Sequence, residues 1–309
     1  MNAQTTAEKI RFLYGSPLNV VSDCLRGFLY ADEGKEFIVC DFSAIEARVL
    51  AWLAGEEEVL EIFRGHGKIY EHAAAGIYKV PMDAVTKDQR QIGKVAVLAL
   101  GYQGGVGAFQ QMAKGYGLKI KDSEADVIKK AWREAHPNIV RYWYGVEEAA
   151  VNAVLYRGRT FAAGPEGRQV KYKVNGSFLW CLLPSGRALA YPYPKIERID
   201  TPWGQQKDAM TYMAMSSGVN KWERQKFYGG LGVENITQAV SRDLLAGALL
   251  RLESRGYPIV SHVHDEIVAE VELKKGSVEE MEKIMAEGEV WSKGLPISAE
   301  GYRARRYKK

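Results

Sequence analysis

Cysteine is scarce in this chain: three residues in 309, Cys24, Cys40 and Cys181, with no C-x-x-C spacing among them. An odd, scattered set excludes a disulfide framework, and Cys40, inside the apolar run FIVC, reads as a buried thiol in a reducing compartment. No stretch approaches the ~20 consecutive apolar residues of a membrane span. The opening MNAQTTAEKIRF lacks a basic segment followed by an apolar one, so the expectation is a cytoplasmic protein with no membrane partner. A dominant charge sign is missing too: 42 basic and 38 acidic residues leave a net charge of +4, which announces no nucleic-acid partner, so local patterning has to decide that question. What is plentiful is apolar residue, 47%, beside 26% charged, the balance of a globular chain with one large domain or two ordinary ones.

FIVC ends at Asp41 and is followed by SAIEARVLAWLAGEEEVLEIF, in which Ile45, Val49, Leu53, Leu60 and Phe63 recur at helical spacing. This predicts a strand, a carboxylate at its end, then a helix. To about Tyr156 the pattern stays helical, with QRQIGKVAVLALGY as one segment and a second that starts at Ser123, the expected N-cap, and breaks near Pro137. Residues 158–199 are rich in Gly, Pro and β-formers and predict hairpins. Helix returns in ENITQAVSRDLLAGALLRLESRG, then come a hairpin, a last helix VEEMEKIMAEGEVWSK, and a basic tail, GYRARRYKK, expected as a solvated end. Strands near both ends with helices between them indicate an α+β chain.

The hairpin SHVHDEIVAEV brings two apolar runs together at His264, Asp265 and Glu266. Burying a carboxylate costs several kcal/mol or more unless something compensates it, so solvent, a cation or a metal belongs at that turn. If the strands before Asp41 and around Asp265 are neighbours, both carboxylates emerge at one rim, which suits Mg²⁺, an ion that takes few carboxylates and completes its shell with water and phosphate oxygens. Two such ions a few ångströms apart serve in-line phosphoryl transfer. Two carboxylates at unrelated strand ends, each facing water, fit the spacing equally well. Arg90, Lys94, Leu98 and Tyr102 follow at i, i+4, i+8 and i+12 on the next helix, where two cations and a ring can grip a polyphosphate and present a stacking surface to a base. A solvated basic stripe running into a buried segment is the competing reading. The glycines of GYQGGVG lack a following GK[ST] and predict a helix end and turn, while Trp132, Tyr142 and Trp143 at helical spacing predict core.

Taken in order, DFSAIEARVLAWLAGEE, RQIGKVAVLALGY and VHDEIV resemble motifs A, B and C of family A DNA polymerases, the group of bacterial DNA polymerase I, and particularly its phage-type members. ENITQAVSRDLL resembles the helix before motif C. The resemblance runs from about Leu25 to Tyr302 and implies a palm (an antiparallel sheet with helices) at residues 1–48 and 229–309, and a largely helical fingers subdomain with inserted hairpins at 49–228. It implies a DNA-templated DNA polymerase in a bacterial or phage-infected cell, acting on primer-template DNA and dNTPs with two Mg²⁺ ions, for which Mn²⁺ is a substitute. Carried over, Asp41 and Asp265 are the metal ligands, with Glu266 a supporting catalytic carboxylate. Arg90 and Lys94 hold the outer phosphates, and Lys94 is also the acid for departing pyrophosphate. Glu46 blocks a ribose 2′-hydroxyl, Tyr102 stacks near the insertion site, and Gln238, His264 and Arg26 contact DNA.

Leu98 stands where the family usually has Phe or Tyr, Gln103 where Gly is usual, and Asn235 lies three rather than four residues before Gln238. About 40 residues precede Asp41, so the resemblance implies a thumb and exonuclease absent from this chain and weak, salt-sensitive, distributive synthesis. A DNA-binding subunit or fragment of a split polymerase, with thumb or proofreading on a separate chain, is the first alternative. A two-metal nuclease is the second, although it gives no reason for the helix of Arg90, Lys94 and Tyr102.

Overall fold

The computed structural model describes residues 3–200, 204, 206–216, 218 and 220–308. Along the chain lie α1 (Ala3–Tyr14), α2 (Pro17–Cys24), β1 (Lys35–Phe42), α3 (Ile45–Ala54), α4 (Glu57–Arg64), α5 (Ile69–Tyr78), α6 (Lys87–Leu100), α7 (Val106–Gly115), α8 (Asp122–Ala135) and α9 (Pro137–Leu155). Then come β2 (Thr160–Ala163), β3 (Val170–Asn175), β4 (Phe178–Leu182), β5 (Ala188–Pro192), β6 (Lys195–Asp200), β7 (Gln206–Met215), β8 (Trp222–Lys226), α10 (Gly229–Ser254), β9 (Ile259–Val263), β10 (Glu266–Glu272), α11 (Val278–Ala286) and β11 (Ala299–Ala304). The architecture is α+β with three antiparallel sheets, divided into two compact units: residues 1–43, 245–287 and 297–309 form one, 44–244 and 288–296 the other. Among the described residues no helix is long and apolar enough to cross a membrane.

The first unit is built on the sheet β11-β1-β10-β9. Its two central strands are covered on both faces, which is why FIVC and EIVAEV read as nearly continuous apolar runs. Phe37 and Val39 pack with Ala31, Val268 and Tyr307 on one face. Alternation sends Cys40 to the other, where its sulfur lies 4.0 Å from the Val278 carbonyl at the start of α11 and burial pushes its thiol up to about 12. Each such buried side chain contributes roughly 1.5–3 kcal/mol.

The basic tail is not a solvated end. Residues 299–304 form β11, pairing along β1 from Phe37↔Ala304 to Phe42↔Ala299, and the chain beyond is tied in by Ala31 N–H to the Arg305 carbonyl (2.9 Å) and Tyr307 N–H to the Leu29 carbonyl (3.1 Å). The strand closes an edge of β1 that would otherwise expose a row of unpaired amides and carbonyls. Its charge is also placed: Arg303 donates to Glu36 Oε1 at 2.8 Å. Lys309 lies outside the described residues.

In the second unit the segment expected as one helix after Asp41 is two, because Gly55 at the end of α3 turns into the left-handed region (φ 74°). The break at Pro137 separates α8 from α9 as expected, but Ser123 is not the cap: α8 begins at Asp122, and acids in its first turn serve the dipole instead. At the start of α9 the buried Glu56 does the capping, accepting from the Asn138 and Ile139 N–H groups at 2.9 and 3.2 Å. The last helix also ends early, at Ala286. α6 opens with a capping box in which Gln89 N–H donates to Thr86 Oγ1 and Thr86 N–H to Gln89 Oε1. It packs so closely on α5 that a Cβ on Gly93 would lie 2.2 Å from the Tyr70 carbonyl. The hairpins expected over 158–199 become the sheet β2-β3-β4-β5 and the strand β6, which pairs with β7 of the unpredicted hairpin β7-β8 to make a third sheet; α9 covers the first through Val170, Tyr172, Val174 and Leu179. Trp132, Tyr142 and Trp143 are core residues.

Candidate active site

β1 and β10 are neighbours in the first unit. Their antiparallel register runs from Lys35↔Glu272 to Asp41↔Glu266, and the Phe42 N–H donates to the Asp265 carbonyl at 3.3 Å. Two segments some 220 residues apart therefore end at one rim with Asp41 and Asp265 on it. The turn is tight: His264 takes φ 58°, its exposed ring sits 2.9 Å from Asp265 Oδ1, and the Asp265 side chain is about a quarter exposed (24%). Among the described residues no three His, Cys, Asp or Glu side chains form a metal cage. Two hard carboxylates at one rim suit an ion that keeps water and phosphate oxygens in most of its shell, which is the behaviour of Mg²⁺.

Glu266 is placed differently from the two aspartates. It is 2% exposed, beneath the rim, and its carboxylate accepts a hydrogen bond from the buried Tyr307 hydroxyl. Burial, followed by that bond and the Glu266 charge, raises the Tyr307 phenol to about 12. The Arg26 guanidinium lies 5.7 Å from the centre of the Tyr307 ring. Arg26, read as a DNA contact, thus joins a file that leads through Tyr307 to Glu266.

In the second unit Glu46, on the first turn of α3, accepts from the Tyr102 hydroxyl at 2.7 Å. Burial, then the Glu46 charge, raises the Tyr102 phenol well above its ordinary value. Both residues line a cavity of about 60 Å³ with Leu50, Leu98, Trp132 and Ile139. Tyr102 lies beyond the helix proper, since α6 stops at Leu100. Arg90 and Lys94 remain on α6, both beside Tyr70: Arg90 at 5.4 Å and Lys94 at 6.0 Å from the ring centre, with Lys94 also 5.0 Å from that of Tyr116. Arg90 Nε donates to Glu71 Oε1 at 2.7 Å. Burial alone would raise the Glu71 carboxyl, but its bonds to Arg90 and backbone and the Arg90 and Lys68 charges outweigh it and hold it below the usual range. Gln238 is exposed on α10, and Asn235 of the same helix donates to the Tyr191 hydroxyl at 3.2 Å.

Gln103 occupies a left-handed position (φ 63°), the conformation that makes Gly the ordinary occupant, and its side chain accepts from the Gly230 N–H at 2.9 Å. A Cβ on Gly230 would lie 2.3 Å from the Tyr102 carbonyl, so the start of α10 is pressed against the turn that carries Tyr102.

Residues 19–161 match DNA polymerase family A. A DNA polymerase of Bacillus phage SP02 is 48% identical over 98% of this chain and 46% of its own length. Residues 19–161 carry the family A match, and the phage relative extends the likeness over nearly the whole chain. The DNA polymerase I of Aquifex aeolicus is 28% identical over 50% of this chain and 28% of its length. The chain therefore spans less than half the length of these relatives. In fold, a solved structure described as the POL domain of Pol1 from M. smegmatis in complex with DNA primer-template and dNTP superposes with a TM-score of 0.58 at 18% identity, covering 91% of this chain and 42% of that one.

Sequence reasoning missed Glu71, Tyr307 and the ion pair of Arg187 with Asp243 (2.5 Å). None of them left a local trace, because each is defined by a partner distant in the chain.

Proposed function

We propose that this chain belongs to family A and carries the palm (1–48, 229–309) and fingers (49–228) of a DNA-templated DNA polymerase that adds deoxynucleotides to a primer 3′-hydroxyl by two-metal phosphoryl transfer. The observation that carries the reading is the pairing of β1 with β10, which brings Asp41 and Asp265 to one rim. Primer-template DNA and dNTPs are its partners and substrates.

Asp41 and Asp265 would hold the divalent ions, which when bound neutralise phosphate charge and ease deprotonation of the attacking hydroxyl. Arg90 and Lys94 bind the β- and γ-phosphate oxygens, for which Arg90 exchanges its bond to Glu71. Lys94 donates a proton to the leaving pyrophosphate. Glu46, fixed by the Tyr102 hydroxyl, occupies the space of a ribose 2′-hydroxyl and so selects deoxynucleotides. Tyr102 presents the surface against which the incoming base is checked, and Leu98 lines the nucleotide site beside it. Gln238, His264 and Arg26, all exposed, contact primer and template.

The test is extension of a labelled primer on a DNA template with Mg²⁺ and dNTPs, comparing the native chain with Asp265→Asn. Templated extension that disappears in the variant supports the reading. A folded native chain that binds primer-template but never extends it, or one that degrades DNA without dNTPs, overturns it.

A further inference from the structure

The sheet β2-β3-β4-β5 has α9 on one face and solvent on the other. Residues paired directly across an antiparallel ladder share a face, and on the outer one Lys173 stands opposite Trp180, Lys171 opposite Leu182 and Asn175 opposite Phe178. Trp180 and Leu182 are 38% and 42% exposed, and both lysines are exposed. The Phe178 ring continues the row, its centre 5.5 Å from that of Trp180 and 6.5 Å from that of the exposed Tyr193. None of the four strands contains Asp or Glu.

We propose that this outer face binds single-stranded nucleic acid, taking unpaired bases on Trp180, Phe178 and Tyr193 and the phosphate chain on Lys171 and Lys173. That the strand is the unpaired template rests on the polymerase reading above; that the face takes single strands does not. Exposed rings interleaved with cations form the stacking platform that single strands occupy with little sequence preference, since every base has a π-face. A duplex hides those base faces in its own stack. A protein partner fits less well, because lysine is depleted at the centres of protein interfaces and here Lys173 faces Trp180 in the middle of the sheet.

The experiment is a fluorescence anisotropy titration of labelled oligothymidylate at several salt concentrations, with the native chain, Trp180→Ala, Trp180→Phe, and Lys171→Gln combined with Lys173→Gln. The positions are exposed, so circular dichroism should show native folding in every variant. Losing the ring should weaken binding roughly 5- to 150-fold, the fold-change equivalent of stacking one base, while phenylalanine restores most of it. Losing both lysines should lower the slope of log affinity against log salt by about 1.4, at about 0.7 per phosphate on a single strand. Unchanged affinity and slope in all variants overturn the proposal, and a face reserved for a protein would give that result. The measurement needs no catalysis, so failed primer extension beside variant-sensitive binding sinks the polymerase reading alone, and extension beside variant-insensitive binding sinks this one alone.

Discussion

Replacing Tyr307 by phenylalanine removes one hydroxyl from a packed site and leaves the ring in place. Glu266 is 2% exposed and Tyr307 3%, so water cannot readily replace the lost donor. A hydrogen bond to a charged group contributes about 1.5–3 kcal/mol. That is the expected destabilisation, and it should appear as coupling: in a double-mutant cycle with Glu266→Gln, the two single costs should exceed the cost of the double variant by a similar amount. All seven tryptophans lie outside the residue ranges of this unit, so it has no tryptophan fluorescence of its own. Native-state amide exchange at Val39 and Val268, on the paired strands β1 and β10, reads the right part of the molecule. Exchange free energies that fall by less than about 0.5 kcal/mol in Tyr307→Phe, or additive single variants, would show that the hydroxyl does not support the carboxylate and refute the argument.

His136 supplies a pH test. Burial, against a smaller opposing effect of its bond to the Trp132 carbonyl, lowers its imidazole from 6.5 to about 4. Between those values the unfolded chain takes up a proton that the folded one refuses, so stability falls as pH falls, by about 1.4 kcal/mol per unit and ~3 kcal/mol across the window. Urea midpoints in His136→Gln should lose that part of the slope, and an unchanged slope would locate the proton elsewhere. Gly93→Ala should force α5 and α6 apart and cost about 1–3 kcal/mol, seen as a lower thermal midpoint; equal stability would mean the helices move freely. Gln103→Gly should be neutral within about 1 kcal/mol, since relief of a left-handed side chain offsets the lost bond to Gly230, whereas Gln103→Val keeps the strain and loses the bond. A valine variant as stable as the glycine one would contradict the backbone argument.

Much of the local pattern was legible along the chain. Periodicity placed α6 and α9, the proline placed the break at 137, and the apolar runs on either side of Asp41 and Asp265 marked both carboxylates before any fold was known. Those features are local, because helical spacing, caps and β-alternation depend on residues within a turn or two of one another. Gln103, unexplained in the sequence, becomes legible only once its backbone is seen in the left-handed region. Tertiary structure alone decided that β1 pairs with β10 in the register that brings Asp41 and Asp265 to one rim, that the basic tail becomes β11, that Glu266 lies buried against Tyr307, and that Glu71 holds Arg90. Each of these joins residues distant in the chain, and a pattern of burial says that a face will be covered without saying by what. Which strand or side chain covers it is settled by shape, register and charge across the assembled core.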